Sequence, residues 1–352
     1  MKKRRLELNI YPTTACDTGC LHCIDNSCLD NPIYFTPEMA TELINQAKKE
    51  DVEISVLFSG GGEPLMNAQL AEIATIFHQY DKFNSLHLIT SGFLEDEVLR
   101  KDIFKKLLNL DSEEKRVYVY QSFSLYQKSF PDRLTNMTRL MIDSKKATSL
   151  CVRACISCEN SLETLDLAEL TLRNLAQELD RDFYALPIGY LSKDRVNFNF
   201  SQNEILTSDF SFYIYSKMLT ISVLYVMKNK NSKGGIVVTV YPFPFVRKGR
   251  AERTQETSFS EVSCVPMMEL GDSSLLIAPD GSVYADCGCY PDTLMQLGKI
   301  GKNSLADIIN RRDKFSAKIT QRFLADKRMC RWGTDEVCKL CKQIVAEDGL
   351  IS

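Results

Sequence analysis

Histidine is scarce in this chain, three in 352 residues, so zinc sites built on imidazole have little to draw on. Long hydrophobic runs are missing as well. The most apolar late stretch, Phe212 to Met227, is broken by Ser216, Lys217, Thr220 and Ser222 and is shorter than the ~20 residues of a membrane span. It reads as a buried or half-buried helix, and no membrane is expected as a partner. A charge excess is also absent: 43 basic side chains against 46 acidic ones leave a net charge of -3, which builds no broad basic surface, so no nucleic acid is expected. The basic start, Met1 to Arg5, lacks the long apolar stretch that follows the charges of a signal peptide. This predicts a cytoplasmic protein. There are no internal repeats and no low-complexity tracts.

What the chain has in quantity is cysteine, thirteen in all. In a cytoplasmic protein that number points to metal or redox chemistry rather than disulfides. A hydrophobic content of 44% is enough for one large core with a smaller module appended.

Short runs rich in β-formers alternate with segments of helical period, the pattern of a parallel α/β sheet. Strands are expected at Leu6–Tyr11, Ile54–Phe58, Leu86–Thr90, Val117–Ser124, Leu150–Ile156 and, sixth, Phe183–Gly189. Helices are expected from Thr36 as N-cap with Pro37 and Glu38 in the first turn, then at Leu70–Phe77, Asp96–Leu108, Leu134–Asp143 and Ser161–Leu179. Met39, Leu43, Ile44 and Ala47 share one face of the first of these. Six parallel units without a seventh or eighth predict an α/β fold, an open partial (β/α)6 barrel with ligands at the C-terminal ends of its strands. After about residue 190 the alternation fails. Gly234–Phe245 looks like one long strand, and a boundary near residue 250 separates a barrel domain (1–250) from a small cysteine-rich domain (251–352).

Cys16-Asp-Thr-Gly-Cys20-Leu-His-Cys23 spaces three thiols in a short loop directly after the first strand. Thiolates suit iron–sulfur clusters, which usually take four. Three would leave one iron open, and Gly19 lets the loop fold tightly. By itself the spacing also fits a zinc loop with Cys28 as fourth ligand. Directly after the second strand comes Ser59-Gly-Gly-Gly-Glu-Pro64, whose glycines allow close backbone approach and whose Glu63 supplies an acceptor.

Together these two loops resemble the radical S-adenosylmethionine superfamily, over roughly residues 6–190. The resemblance implies a [4Fe–4S] cluster on Cys16, Cys20 and Cys23. Its open iron would chelate the methionine moiety of S-adenosylmethionine, and an electron from it would yield a 5′-deoxyadenosyl radical that abstracts hydrogen from an unactivated C–H bond. It implies further that His22 lies near the adenine, that Gly61, Gly62, Glu63 and Pro64 bind the methionine amino group, and that Ser124 and Arg133 contact ribose and carboxylate. Leu88-Ile-Thr-Ser-Gly92 is similar to the family's Thr-Asn-Gly segment.

Cys151, Cys155 and Cys158 repeat the spacing of the first motif. Residues 150–156 read as strand, along which Cys151 and Cys155 lie well apart, so these thiols are expected to pack rather than ligate.

The C-terminal cysteines resemble the SPASM and Twitch auxiliary-cluster modules. The resemblance implies one auxiliary [4Fe–4S] cluster on Cys264, Cys287, Cys338 and Cys341. Two departures stand out: five residues separate Gly281 from Cys287 instead of four, and Asp286 holds a position usually taken by cysteine. Cys289 and Cys330 are left over, as catalytic hydrogen-donating thiols, ligands to a second cluster, or spare cysteines. A zinc ribbon is the other reading of this region.

The expected partners are a peptide or small-molecule substrate, an electron donor such as flavodoxin or ferredoxin, and possible help from a separate peptide-recognition protein, because the first strand begins at about residue 6. A ribosomally made peptide is preferred over an aminoglycoside or sugar intermediate undergoing dehydrogenation or epimerisation. The reading from another class is a non-catalytic zinc-binding structural protein.

Overall fold

A computed structural model describes residues 4–19, 23, 25, 27, 29–123, 129–144, 149–155, 161–188, 222–229, 235–243, 273–285 and 295–325, with 343 and 346. It is an α/β fold around one parallel-rich sheet of eleven strands. The first βα units follow the sequence pattern closely. Strand β1 (Arg5–Ile10) alternates buried Leu6, Leu8 and Ile10 with half-exposed Glu7 and Asn9. Helix α1 (Pro37–Lys49) is capped by the Thr36 side chain, which accepts from the Met39 N–H at 3.4 Å. Glu38 in its first turn and Lys48 and Lys49 in its last complement the helix dipole. Ala40, Leu43, Ile44 and Ala47 turn to the core, with Met39 packed against its edge.

Strands β2 (Glu53–Phe58), β3 (Phe83–Thr90), β4 (Arg116–Phe123) and β5 (Ser149–Cys155) continue the sheet, each parallel to the one before. Between them run α2 (Leu70–His78), α3 (Val98–Leu108) and α4 (Phe130–Ser144), and α5 (Ser161–Glu178) follows β5. One sheet face buries Leu8, Val56, Phe58, Leu88 and Val119 in the core that includes Phe77 and Phe104 of the helices. The other face carries Asn9, Ser55, His87 and Tyr120, all half-exposed. Cys151 and Cys155 fall on β5, as their spacing predicts, and Cys158 lies outside the described residues.

Beyond β5 the expectation of a sixth parallel βα strand at Phe183–Gly189 is corrected. A strand is there, β6 (Arg181–Ile188), but it runs antiparallel to β7 (Ser222–Asn229) and ends the sheet. The place beside β5 is taken, in parallel, by β8 (Gly235–Phe243), with Ser149 opposite Val237 and Cys155 opposite Phe243. Residue chemistry accounts for the exchange. Ile236-Val-Val-Thr-Val240 is a β-branched run suited to a strand flanked on both sides, whereas Pro187 lacks an N–H and is tolerated at an edge. The helix expected over Phe212–Met227 is likewise corrected for Ser222–Met227, which are strand. A short apolar run does not reveal its period, and Val223, Tyr225 and Val226 favour the extended form. Residues 212–221 lie outside the described residues.

On the other side of β1 the sheet is extended by β9 (Ser273–Ile277), parallel to it, then by antiparallel β10 (Ser282–Tyr284) and β11 (Gln296–Lys299). Pro279-Asp280-Gly281 forms the tight turn between β9 and β10, closed by Gly281 N–H to Ala278 O at 2.9 Å. Helix α6 (Leu305–Ala325) is longer than the Ser304–Arg311 pattern. Among the described residues no helix is long and apolar enough to cross a membrane.

Candidate functional site

The loop after β1 is pinned at its base before it reaches the cysteines. Pro12 O accepts from the Phe35 N–H at 2.9 Å and from Asn67 Nδ2 at 2.9 Å, and the same amide donates to Phe35 O at 2.9 Å. Thr14 N–H donates to Ile33 O at 3.0 Å, and Thr14 Oγ1 accepts from Ile33 N–H at 2.9 Å. These bonds hold Ala15 and Cys16 over the C-terminal end of the sheet.

Against this base lies the glycine loop that follows β2. A Cβ on Gly62 would stand 2.3 Å from Ala15 O and 2.7 Å from Thr13 O. Gly61 adopts φ +71°, and a Cβ there would stand 2.6 Å from the Tyr11 ring. Only glycine fits both positions. Asp25 accepts from Gly61 N–H at 3.0 Å, and Ser27 Oγ donates to Gly61 O. The two sequence motifs are therefore in backbone contact, and the Glu63 N–H donates to Ala15 O at 2.8 Å.

Glu63 is buried, 3% exposed, and four donors converge on its carboxylate. Oε1 accepts from Thr90 Oγ1 at 2.5 Å and Leu65 N–H at 3.1 Å. Oε2 accepts from the Ser91 N–H at 2.7 Å and the Ser91 hydroxyl at 2.6 Å. All four acceptor directions of a carboxylate are thus used within the chain. A ligand amine can reach Glu63 only by displacing one of the two hydroxyls; otherwise it binds beside it on the loop backbone. Pro64 opens the short 3-10 turn Pro64–Met66 that Glu63 caps.

Cys16 and Cys23 are free, half-buried thiols. Burial pushes the Cys16 thiol up from its ordinary value, with the Glu63 and Cys23 charges adding to the rise, while bonds from Thr18 oppose it. The Thr18 hydroxyl lies 2.7 Å from Cys16 Sγ. A thiolate at this spot needs compensating positive charge, and soft thiolates beside a buried carboxylate fit a bound metal centre. Cys20, His22 and Cys28 lie outside the described residues, and among those described no three metal-capable side chains converge.

The sequence pairing of Arg133 with cofactor carboxylate meets a crowded guanidinium. Arg133, 4% exposed, donates to Glu97 Oε2 at 3.0 Å, Glu97 Oε1 at 3.1 Å and Gly92 O at 2.8 Å. Ser124, Cys264, Cys287, Cys289, Cys330, Cys338 and Cys341 lie outside the described residues. The sequence reading missed four contributors: Thr90 and Ser91 as partners of Glu63, and Asp17 and Arg100, which pair across 83 positions. Thr90 and Ser91 sit in the segment that reading singled out, without a role. Nothing in the sequence signals the pairing of Asp17 with Arg100.

No curated protein matches the sequence significantly. Among solved structures, it is similar to Streptococcus suis SuiB bound to S-adenosylmethionine at 14% identity, over 87% of this chain and 65% of that one, TM-score 0.46. The chain thus spans about two thirds of SuiB's length. It is similar to BtrN in complex with AdoMet and 2-DOIA at 12% identity, over 90% and 87% of the two chains, TM-score 0.39. For HydG, a maturase of the [FeFe]-hydrogenase, the values are 10% identity, 98% and 78% coverage, and TM-score 0.36. The stretch from the end of β1 into α4, residues 10–139, which holds Cys16 and Glu63, matches the family model described as the Radical SAM superfamily.

Proposed function

We propose that the chain is a radical S-adenosylmethionine enzyme that modifies a ribosomally made peptide. Cys16, Cys20 and Cys23 would hold a [4Fe–4S] cluster, and the Gly61–Pro64 loop would receive the methionine end of S-adenosylmethionine. One observation carries the reading: the Glu63 N–H bonds to Ala15 O at 2.8 Å, so the glycine loop is docked on the residue next to Cys16. The matched family uses this cluster and this cofactor, and the three thiols with an adjacent glycine-lined loop fit both.

A cluster held there would supply the electron for reductive cleavage of S-adenosylmethionine and so the hydrogen-abstracting chemistry. The chain's own residues prepare that site. Gly61 and Gly62 leave out the side chains that would strike the Tyr11 ring and Ala15 O, so the loop can lie directly on the start of the cysteine loop. Glu63, gripped by Thr90 and Ser91, fixes the loop and keeps negative charge beside an incoming amine. The buried Tyr11 ring lies against Gly60 and Gly61 and closes that side of the loop.

The reading keeps residues 251–352 as the auxiliary module, with a second cluster on Cys264, Cys287, Cys338 and Cys341 and with Cys289 or Cys330 as a hydrogen-donating thiol. It places the enzyme in the cytoplasm with a flavodoxin or ferredoxin as electron donor. Anaerobically reconstituted protein should be brown, carry about eight irons per chain, and release 5′-deoxyadenosine from S-adenosylmethionine under reduction. Cys16→Ala should abolish that release, and Cys338→Ala/Cys341→Ala should leave about four irons. Colourless protein holding zinc would overturn the proposal.

A further inference from the structure

An ion pair, buried on its arginine side and exposed on its aspartate side, ties the loop that follows Cys16 to α3. Arg100, 7% exposed, donates from Nη2 to Asp17 Oδ2 at 2.6 Å. Its Nη1 stands 3.1 Å from Glu97 Oε1, an ionic contact outside hydrogen-bond geometry. Glu97 is held in turn by the paired contacts from Arg133 and accepts from the Leu94 N–H at 2.7 Å. Arg133 closes the chain on Gly92 O, next to the Ser91 that grips Glu63. Two guanidinium and two carboxylate groups thus run from the cysteine loop to the strand end that orients Glu63.

The exposed Asp17 end limits what the Arg100–Asp17 pair adds to stability. What the network adds is charge at a fixed place. The Arg100 guanidinium is desolvated, and the carboxylates of Glu63, Asp17 and Glu97 hold it charged. Asp17 follows Cys16 directly in the chain, so the bond at 2.6 Å sets the cation against the start of the cysteine loop. A cluster on thiolates carries negative charge, and a nearby cation favours its reduced form.

We propose that Arg100 is a positioning residue for the cluster, fixing the Cys16–Cys20 loop through Asp17 and raising the potential at which the cluster accepts its electron. The inference rests on the reading of Cys16, Cys20 and Cys23 as cluster ligands. Lys101, next to Arg100 on α3, pairs instead with exposed Glu95.

The test is a reductive titration followed by electron paramagnetic resonance on anaerobically reconstituted full-length protein, with iron counted in each sample. Arg100→Gln leaves Asp17 unpaired and should move the potential downward. Arg100→Lys should stay near the parent. Asp17→Asn cuts the same tether but removes a negative charge, so it should move the potential upward. Opposite signs separate a charge effect from loosening of the loop. Shifts in one direction for both variants, or Arg100→Gln with full iron at the parent potential, overturn the proposal. If Arg100→Gln fails to fold, Asp17→Asn decides alone, and an unmoved or lowered potential overturns it. Loss of iron from both variants with native circular dichroism overturns the effect on potential and leaves Arg100 only the fixing of the loop. Parent protein without iron would instead remove the cluster reading itself, whereas loaded parent protein with unmoved variants removes only the role of Arg100.

Discussion

Gly62 and Ala15 meet so closely that a Cβ on Gly62 would lie 2.3 Å from the Ala15 carbonyl oxygen. Neighbouring backbone, not a flexible side chain, fills that space, since Thr13 O is 2.7 Å away. Gly62→Ala must push the two loops apart and break the bond from the Glu63 N–H to Ala15 O. The expected cost is about 1–3 kcal/mol in urea unfolding, together with loss of iron on reconstitution. An alanine variant that loads iron like the parent would mean the contact does not set the cysteine loop.

Ser91 supplies two of the four donors to Glu63. Ser91→Ala removes the hydroxyl bond at 2.6 Å and keeps the N–H bond at 2.7 Å. Loss of one hydrogen bond to a buried carboxylate should destabilise by about 1.5–3 kcal/mol. The vacated lone pair on Glu63 is then open to a ligand amine, so calorimetric titration with S-adenosylmethionine should show binding at least as tight as the parent's while iron content stays near the parent. Equal loss of both would assign Ser91 to the fold and not to the ligand loop.

Asn67, 1% exposed, bridges Pro12 O and Phe35 O from one amide nitrogen, and its Oδ1 accepts from the Gln69 N–H at 2.9 Å. Asn67→Ala takes a donor from Phe35 O and the acceptor from the Gln69 N–H, while Pro12 O keeps its bond from the Phe35 N–H; the cost should be about 1–3 kcal/mol for each buried group left unsatisfied. Thermal unfolding should fall by several degrees, and amide exchange at Phe35 should quicken before exchange in β2 does. Unchanged exchange at Phe35 would show that the loop is held by its backbone bonds alone.

His87 lies on the half-exposed sheet face, bonded to Ser85 and Tyr120 and stacked on Tyr118. Burial lowers its pKa below the ordinary histidine value. His78 is lowered too, by burial first and then by the Lys115 charge. A base whose folded pKa is depressed takes up its proton first in the unfolded chain, so stability falls as pH drops through the ordinary histidine range and levels off below the folded values. Unfolding free energy should therefore be larger at pH 7.5 than at pH 5.5, and His87→Gln should flatten part of that slope. A slope unaltered in His87→Gln would assign it to other groups.

The repeating strand and helix pattern of β1 to β5 was legible because alternation and capping are local: Thr36-Pro37-Glu38 announces α1 whatever surrounds it. The same reasoning found the strand at Phe183–Gly189 but not its antiparallel direction, and it failed over Ser222–Met227, which are strand and not helix. Which strand lies beside β5 depends on competition among β6, β7 and β8 for one sheet position, and propensity does not rank long-range partners.

The site divides in the same way. Spacing and residue type in the sequence determined that Cys16 stands just past β1 and that a glycine run with Glu63 follows the next strand, because ligand chemistry and backbone freedom are properties of the residues themselves. That Glu63 is filled by Thr90 and Ser91, that Arg133 is spent on Glu97, and that Arg100 reaches Asp17 was decided by the tertiary structure alone. Charged side chains far apart in sequence choose partners by the distances and burial that the packed sheet and helices impose.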